Sequence, residues 1–431
     1  MLHSNLSVNE KDHLVFAGMD TVELAEKYGT PLYLMDEDRI RSRCRSYIDT
    51  MKKYIGENAH PLYASKACSF KQMYRIAMEE GMYVDVVSGG ELHTAASVGF
   101  PMEKIFFHGN YKSRAEISYA MDLGLGIIVV DNPDELAMVD EEAGKHGIKQ
   151  KIVLRITPGV DAHTNKKINT GLVDSKFGAC IETGHAEQIV RQALSCENLE
   201  LKGFHSHVGS QIFTATPFME STDIMIAFCK SIMNRYGFAA EILNLGGGFG
   251  VKHVKTDPDF NIDKVIKDIG EELDRICGIL KFPKPSLFLE PGRSIVADSG
   301  ITLYTVGGVK EITEDICYVA VDGGMTDNPR YTLYQADHTF ILANHANAPV
   351  DFRATIAGRC CESGDVLKHK AWIPKPKTGD YIATLVTGAY NYSMASNYNR
   401  IPRAPVVMIK DQEDRIVVKR ESYDDLLIND I

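Results

Sequence analysis

One lysine stands where a reactive amine could do chemistry. Lys66 follows the apolar run at 61–64, which has the character of a buried strand. An amine at the end of such a strand is partly desolvated, so its pKa falls and it can attack an aldehyde to form a Schiff base. Taken alone, a lysine in a loop is more often a solvated surface residue. The residues that the fold places around Lys66 decide between these interpretations.

Three consecutive glycines form a second candidate feature. Gly246, Gly247 and Gly248 follow the apolar run at 242–245. Bare backbone N–H groups can approach a phosphate closely, and in an eight-stranded barrel the loop after the seventh strand commonly binds phosphate. A glycine triplet is also common in tight turns. Its position after a seventh strand favours the phosphate interpretation.

Two histidines, His205 and His207, are spaced like a metal-binding pair. No other His, Cys or acidic residues form an obvious ligand set with them, so we predict no metal. The flat ring of His207, followed by Gly209 and Ser210, suits a stacking surface and a hydroxyl donor to phosphate.

A carboxylate and an arginine follow the last apolar run of this region. Glu290 and Arg293 stand in the segment LEPGR at 289–293. A lone Glu and Arg would usually form a structural ion pair. In a cofactor site, however, a carboxylate opposite a pyridine nitrogen keeps that nitrogen protonated, and the ring can then accept electrons from a carbanion.

Eight short apolar runs alternate with helical stretches such as 70–80 and 262–280, which predicts an α/β fold with a parallel (β/α)8 barrel. An open doubly wound sheet would require a G-x-G-x-x-G after its first strand, and none is present. The predicted strands are 61–64, 83–87, 105–107, 126–130, 151–156, 201–204, 242–245 and 287–289. Reactive groups of such barrels lie at the C-terminal strand ends. Those ends carry Lys66, Ser88, His108, Asp131, Arg155, His205 with His207, the glycines and Glu290.

After Pro291 the sequence pattern changes to runs of β-branched and aromatic residues separated by turn residues. This pattern predicts a separate all-β domain of sandwich or barrel type. Its predicted strands are 301–306, 316–321, 352–357, 381–386 and 406–410. The run 13–17 is predicted to add a strand to it, and 37–54 to form a helix before the first barrel strand. We therefore expect a barrel domain at 36–290 and a β domain at 1–35 plus 291–431.

Composition limits the classes of function. The chain has 431 residues, a net charge of -11, 44% hydrophobic residues and nine scattered cysteines. No membrane span, secretory signal or basic block is seen, so we expect a cytoplasmic protein with a small-molecule substrate and neither a nucleic-acid nor a membrane partner. An odd number of cysteines without C-x-x-C spacing argues against a disulfide framework.

Taken together, these residues resemble the fold-type III pyridoxal 5'-phosphate (PLP) decarboxylases, the class that includes the ornithine, lysine and arginine enzymes. Matching motifs run along nearly the whole chain: YASKA at 63–67, DVVSGGEL at 85–92, DSKFG at 174–178, HVGSQ at 207–211, GGG at 246–248, EPGR at 290–293, CESGD at 361–365 and GAY at 388–390. The resemblance implies PLP as cofactor. It also implies a carboxy-lyase of lysine biosynthesis that converts meso-2,6-diaminopimelate to L-lysine and CO₂.

The resemblance also assigns roles to residues. Lys66 would bind PLP covalently, His207 would stack on the ring and Glu290 would pair with its nitrogen. The remaining cofactor contacts would come from Ser210, Gly246, Gly247, Gly248, Gly292, Arg293 and Tyr390. Substrate would be bound by Arg293, Arg330, Tyr334, Glu362 and Tyr390.

The family is also expected to form homodimers with shared active sites. Cys361 would protonate the carbon that loses CO₂, and Glu362 would bind the distal ammonium group, both in the partner's site. Without the motif that follows, the adjacent Cys360 and Cys361 would be interpreted as small buried strand residues.

Three alternatives stay open at this point. The chain could decarboxylate ornithine, lysine, arginine or carboxynorspermidine, act as a racemase of related fold, or be a non-catalytic regulator. Retention of Lys66, His207, Glu290 and Cys361 together argues against the last. Tyr111, residues 391–393 (NYS) and 399–402 (NRIP) depart from the commonest family forms, which puts the loop packing and the substrate range in doubt.

Overall fold

The computed structural model describes residues 1–160 and 176–431, so Asp174 and Ser175 of the DSKFG motif lie outside the described residues. The chain divides into two compact units. One unit comprises Met1–Ser42, Val251–Pro258 and Arg293–Ile431, and the other Arg43–Gly250 and Asp259–Gly292. The domain limits expected from the sequence stay a prediction.

Within the described residues, the second unit is built on eight parallel strands that close into a barrel. In chain order, barrel strands 1 to 8 are Ala59–Ala64, Tyr83–Val86, Ile105–Phe107, Ile127–Val130, Gln150–Thr157, Leu199–His205, Ile242–Asn244 and Ser286–Leu289. Strand 8 pairs with strand 1, and strand 4 pairs with strand 5, so no edge is left open. The predicted barrel and all eight predicted strands are confirmed. A short strand, Ala179–Cys180, adds to strand 5.

Helices connect these strands, as the 3.6-residue periodicity predicted. They are Lys71–Glu79, Gly89–Ala96, Arg114–Asp122, Pro133–His146, His185–Ser195, Thr216–Tyr236 and Ile262–Leu280, and Glu37–Tyr54 precedes strand 1 in the sequence. Polar N-caps start several of them: Asn132 accepts the N–H of Glu135, and Asn261 accepts that of Lys264. In the described part of the chain, no helix combines the length and apolar character that a membrane span needs.

The first unit contains the predicted β domain. Its main sheet has the order Val366–Ile373, Phe352–Ala357, Ile316–Val321, Gly300–Thr313, Leu32–Asp36, Val406–Lys410, Glu413–Val418, with Phe340–Leu342 and Tyr381–Leu385 pairing alongside. All five predicted strands are confirmed. Inward-facing residues such as Val319, Ile356 and Ile382 form an apolar core. Two short helices, Arg293–Val296 and Arg330–Tyr334, carry predicted site residues.

The strand predicted at 13–17 forms, but the prediction that it joins the main sheet was wrong. Leu14–Phe16 pairs instead with Leu6–Val8 and Met19–Asp20 in a separate three-stranded sheet, because the turn at Ala17 and Gly18, both with positive φ, folds the chain back locally. Leu32–Asp36 is the strand that joins the main sheet, between Gly300–Thr313 and Val406–Lys410. All five of its residues are buried, so it lacks the alternation by which exposed strands are recognised.

Candidate active site

Lys66 lies at the C-terminal end of barrel strand 1, on the turn Ser65–Ala67. Its Nζ lies 3.2 Å from Oδ2 of Asp85, a fully buried residue of strand 2. The other oxygen, Oδ1, accepts the backbone N–H of Ser65 at 3.2 Å. Burial raises the pKa of Asp85, and the Lys66 ammonium opposes this rise. Asp85 therefore fixes both the turn and the amine that it carries.

Glu290 follows strand 8 and lies in a buried polar cluster with three side chains. Its Oε1 accepts the amide N–H of Asn244 at 2.8 Å and lies 3.1 Å from His108 Nε2 and 3.3 Å from His205 Nε2. Burial favours the protonated acid, but His108 and His205 outweigh it and hold the pKa of Glu290 well below its usual range. The cluster thus keeps a buried carboxylate ionised.

This cluster corrects one step of the sequence reasoning. His205 was expected to lack a ligand set, yet His205, His108 and Glu290 offer atoms within 4.8 Å of one another, a separation that a metal ion could bridge. Burial lowers the pKa of His205 to about 4. His207 belongs to a different set of contacts. The absence of a metal stays a prediction.

His207 is neutral at physiological pH, because burial, and then Arg155 and Lys66, lower its pKa well below the usual range. Its Nδ1 accepts the backbone N–H of Gly247 at 3.2 Å. A neutral ring with a fixed orientation suits the stacking role that the sequence predicts for His207, and this role stays a prediction.

Lys66 and Glu290 line the same cavity, of about 440 Å³, together with His108, Arg155 and His207. This volume lies in the range of small-molecule sites. Tyr111 also lines it, so this departure from the family pattern lies at the cavity itself. The amine and the carboxylate, which are far apart in the sequence, therefore meet at one end of the barrel.

The glycine triplet is required first by close packing of backbones. A Cβ on Gly247 would overlap the carbonyl of Glu290, and one on Gly248 would overlap that of Gly209, next to Ser210. The N–H of Gly246 donates to Asn244 Oδ1 at 2.8 Å, and that of Gly247 donates to His207. Two of the three N–H groups expected to hold phosphate are thus already used within the chain.

Gly292 plays a similar packing role beside the lysine. A Cβ there would lie 2.8 Å from Cβ of Ala64. The neighbouring Pro291 carbonyl accepts the N–H of Ala64 at 3.1 Å. Gly292 therefore lets the chain after Glu290 pass directly against the strand that ends at Lys66.

In the first unit, four of the predicted substrate or cofactor residues form one cluster, in which two arginines are buried and two tyrosines are half-buried. The guanidinium carbons of Arg293 and Arg330 lie 4.7 and 5.4 Å from the ring centre of Tyr390, and that of Arg330 lies 5.1 Å from the ring centre of Tyr334. Burial and the nearby Arg293 lower the pKa of Arg330 to about 10, so it stays charged at neutral pH.

Arg330 is 8% exposed, and its Nε has no hydrogen-bond partner among the described residues. Nor does a described carboxylate form an ion pair with it. A buried cation without an anion is costly to maintain. This cluster is therefore suited to receive an anionic group from a ligand.

Cys361 and Glu362 lie on the loop between the strands Phe352–Ala357 and Val366–Ile373. Both are exposed, and the N–H of Cys361 donates to Asn399 Oδ1 at 2.8 Å. The adjacent Cys360 is partly buried, and burial together with Asp365 raises the pKa of its thiol to about 12. The structure thus separates an inert cysteine from an accessible one. The role of Cys361 stays a prediction.

Three residues around the barrel cavity were missed as functional candidates: Asp85, Asn244 and Arg155. Arg155 was noted only as a strand end. Its guanidinium is stacked 4.2 Å from the ring centre of Phe177, and burial lowers its pKa. Each of the three belongs to a barrel strand and stands between two apolar residues of the sequence. A polar residue within such a strand is the signal that could have found them.

A barrel whose strand ends carry a lysine, an ionised glutamate and a neutral histidine around one cavity is the architecture expected of a PLP enzyme. The family described as pyridoxal-dependent decarboxylase, pyridoxal binding domain, matches residues 37–297. The chain belongs to this family of PLP-dependent decarboxylases.

The chain is 45% identical to diaminopimelate decarboxylase of Bacillus methanolicus, over 97% of both chains. It is 44% identical to the enzyme of that name from Bacillus subtilis (strain 168), over 100% of this chain and 98% of the other. The crystal structure of diaminopimelate decarboxylase from M. jannaschii in co-complex with L-lysine has a TM-score of 0.93 and 35% identity, covering 100% of this chain and 99% of that one.

The residues present fit PLP. The cavity offers an amine for the aldehyde, and an acid that stays ionised beside it can face a pyridine nitrogen. It also offers the half-buried ring of His207, whose orientation is fixed by Gly247. Two independent features, the lysine and the ionised glutamate, thus match the two chemical ends of this cofactor.

Proposed function

We propose that the chain decarboxylates meso-2,6-diaminopimelate to L-lysine and CO₂. The observation that carries the proposal is the buried Arg330, which lacks an anionic partner among the described residues. Diaminopimelate keeps a second carboxylate while the first is lost, whereas ornithine, lysine and arginine carry none at the distal end. Relatives named diaminopimelate decarboxylase and a structural neighbour solved with L-lysine support the same choice.

Lys66 would hold the cofactor through its aldehyde, and Asp85 orients the lysine amine and can take up its proton. Glu290, held ionised by His108 and His205, would pair with the cofactor nitrogen and favour its protonated form. When bound, PLP supplies a cationic ring that accepts the electron pair left after CO₂ departs. His207 would cover one face of that ring. Lys66 is also the amine that would displace the product from the cofactor.

By the family resemblance, the phosphate of the cofactor would be held by Ser210, the segment 246–248 and Tyr390, and Gly292 and Arg293 would make the remaining cofactor contacts. Since the N–H groups of Gly246 and Gly247 bond within the chain, Gly248 and Ser210 are the donors that we expect to matter here. A close backbone approach needs the small residues in any case.

The substrate's distal carboxylate binds Arg330 and Arg293, where planar guanidinium groups form paired hydrogen bonds, and Tyr334 and Tyr390 flank them. We further infer a homodimer in which Cys361 and Glu362 act in the partner's site. Cys361 delivers the proton to the carbon that lost CO₂, and Glu362 binds the distal ammonium group. Among the described residues no disulfide joins the cysteines, which suits a reducing, cytoplasmic setting.

The first test is CO₂ release from meso-diaminopimelate, lysine, ornithine and arginine. We expect meso-diaminopimelate to be preferred by at least about 10²-fold in kcat/KM, since a buried cation left unpaired penalises substrates without the second carboxylate. Arg330→Met should raise KM for meso-diaminopimelate by roughly 10- to 100-fold. The control Lys375→Met removes an exposed cation that pairs with Glu311, and should leave KM unchanged. Equal turnover of ornithine would exclude the proposed substrate.

The second test concerns the carboxylate of Glu290. Glu290→Gln should lower kcat by about 10²- to 10³-fold, because a neutral amide cannot hold the cofactor nitrogen protonated. The bound cofactor's visible absorption should also shift. Glu241→Gln, at the opposite end of strand 7, removes an exposed carboxylate paired with Lys202 and serves as the control. A Glu290→Gln enzyme with unchanged kcat and spectrum would contradict this role.

A further inference from the structure

Two segments of the first unit carry different parts of the proposed chemistry. The arginine segment, residues 323–334, carries Arg330 and Tyr334. The cysteine loop, residues 358–365, carries Cys361 and Glu362 and ends at Asp365. Asp365 is 3% exposed. The mechanism above does not use this buried carboxylate.

The Asp365 carboxylate joins the two segments. Its Oδ1 accepts the backbone N–H of Met325 in the arginine segment at 2.6 Å. Its Oδ2 accepts that of Cys360 in the cysteine loop at 2.7 Å. Hydrogen bonds from N–H groups to an ionised carboxylate are among the stronger ones in proteins. One side chain therefore fixes the position of both backbones.

Two further bonds hold the same pair of segments together. The N–H of Arg359 donates to the Gly323 carbonyl at 3.1 Å. The hydroxyl of Thr332, in the helix that carries Arg330 and Tyr334, donates to the Gly364 carbonyl at 3.1 Å. The link thus extends from the start of the arginine segment to its helix.

The space around the carboxylate is kept open by glycines. A Cβ on Gly358, or on Gly324, whose φ is +153°, would overlap the Asp365 carboxylate oxygens. The two segments approach so closely that only residues without a side chain leave room for it. The carboxylate and the two glycines therefore form one packed unit.

We propose that Asp365 is a positioning residue that sets the arginine segment and the cysteine loop together. The inference rests on the proposed function, in which the arginine segment serves its own chain's site and the cysteine loop serves the partner's. One buried carboxylate then couples substrate binding in one site to proton delivery in the other.

The first test is Asp365→Asn, which keeps the shape but places an NH₂ group against a backbone N–H. We expect KM for meso-diaminopimelate to rise and kcat to fall, each by roughly tenfold or more, since small misplacements of catalytic groups are that costly. Circular dichroism and melting temperature establish that the variant is folded. Wild-type kcat and KM in the folded variant would overturn the proposal.

Gly358→Ala provides a second variant that displaces the carboxylate without changing it. Its matched control is Gly308→Ala, where a Cβ meets nothing within 4 Å. We expect Gly358→Ala to reproduce the kinetic changes of Asp365→Asn, and Gly308→Ala to behave as wild type. Equal kinetics in the two alanine variants would contradict a positioning role, whether or not Asp365→Asn folds.

Mixed dimers separate positioning from general loss of structure. In a dimer of Lys66→Ala and Asp365→Asn chains, the one site with an intact lysine uses the Asp365→Asn chain's own arginine segment and the other chain's intact cysteine loop. We expect kcat per such site to return toward wild type while KM stays raised. If both kcat and KM return to the wild-type values, or if neither does, the proposed coupling is overturned. A second mixture, of Lys66→Ala and Cys361→Ala chains, tests the shared site separately. If its activity also fails to recover while Asp365→Asn homodimers keep their kinetic changes, the shared site is excluded and the positioning role of Asp365 remains supported.

Discussion

Replacement of Lys66 by alanine is expected to abolish decarboxylation, with kcat at least about 10⁴-fold lower, as when the covalent nucleophile of an enzyme is removed. Methyl cannot bind the cofactor aldehyde or exchange with the substrate amine. The variant should also lose the visible absorption that a covalently held cofactor gives the wild type. Both effects are measured on the same purified protein, by CO₂ release and by absorption before and after borohydride.

The control for this experiment is Lys71→Ala. Lys71 is an exposed lysine at the start of the helix Lys71–Glu79, five positions further along the chain. It should keep both the absorption and the rate. A Lys66→Ala enzyme that turns over normally would refute the assignment, whatever the position of Glu290. Loss of turnover with the absorption intact would move the covalent link to another amine.

Much of the barrel could be predicted because its strands are buried on both faces and therefore read as continuous apolar runs. Eight such runs predict a closed barrel, and in a barrel Lys66, His207 and Glu290 all lie at the end where the strands have their C-termini. The cavity that Lys66 and Glu290 share follows from that placement. Lys66 and Glu290 are far apart in the sequence, but closure of the barrel pairs strand 8 with strand 1 and brings the ends of these strands together.

The sequence did not predict which contacts the polar side chains of those strands make. Asp85 and Asn244 look like isolated polar residues in apolar runs, and only the fold shows that they hold Lys66 and Glu290. The glycine triplet shows the same limit. Its composition suggests a phosphate cradle, but two of its N–H groups bond to Asn244 and His207, which no local pattern encodes.

Five strands of the β unit were predicted from the sequence, whereas Leu32–Asp36, at the centre of its main sheet, was not. Ile316–Val321 alternates exposed and buried residues and was found with its exact limits. Leu32–Asp36 has no such alternation, and its place in the sheet depends on partners about 270 and 370 positions away. Only pairing in three dimensions, which a local pattern does not carry, identifies such a strand.

The second large effect is expected from mixed dimers. Lys66→Ala chains are inactive, and Cys361→Ala chains should lose about 10²- to 10⁴-fold in kcat, the usual contribution of a positioned proton donor. If each site takes its lysine from one chain and its cysteine from the other, a mixed dimer contains one site with both groups. Random mixing makes half of the dimers mixed, so activity should recover to roughly a quarter of wild type.

The matched control mixes Lys66→Ala with Glu290→Gln. Lys66 and Glu290 line one cavity of a single barrel, so in this mixture every site carries one of the two defects. No recovery is expected there, although the chains exchange equally well, which distinct affinity tags on the two chains verify. Recovery with Cys361→Ala but not with Glu290→Gln would assign the cysteine to the partner and the glutamate to the lysine's own chain. If tagged mixed dimers of Lys66→Ala and Cys361→Ala stay inactive, the two groups serve the same chain, and the exposed position of Cys361 needs an explanation other than a shared site.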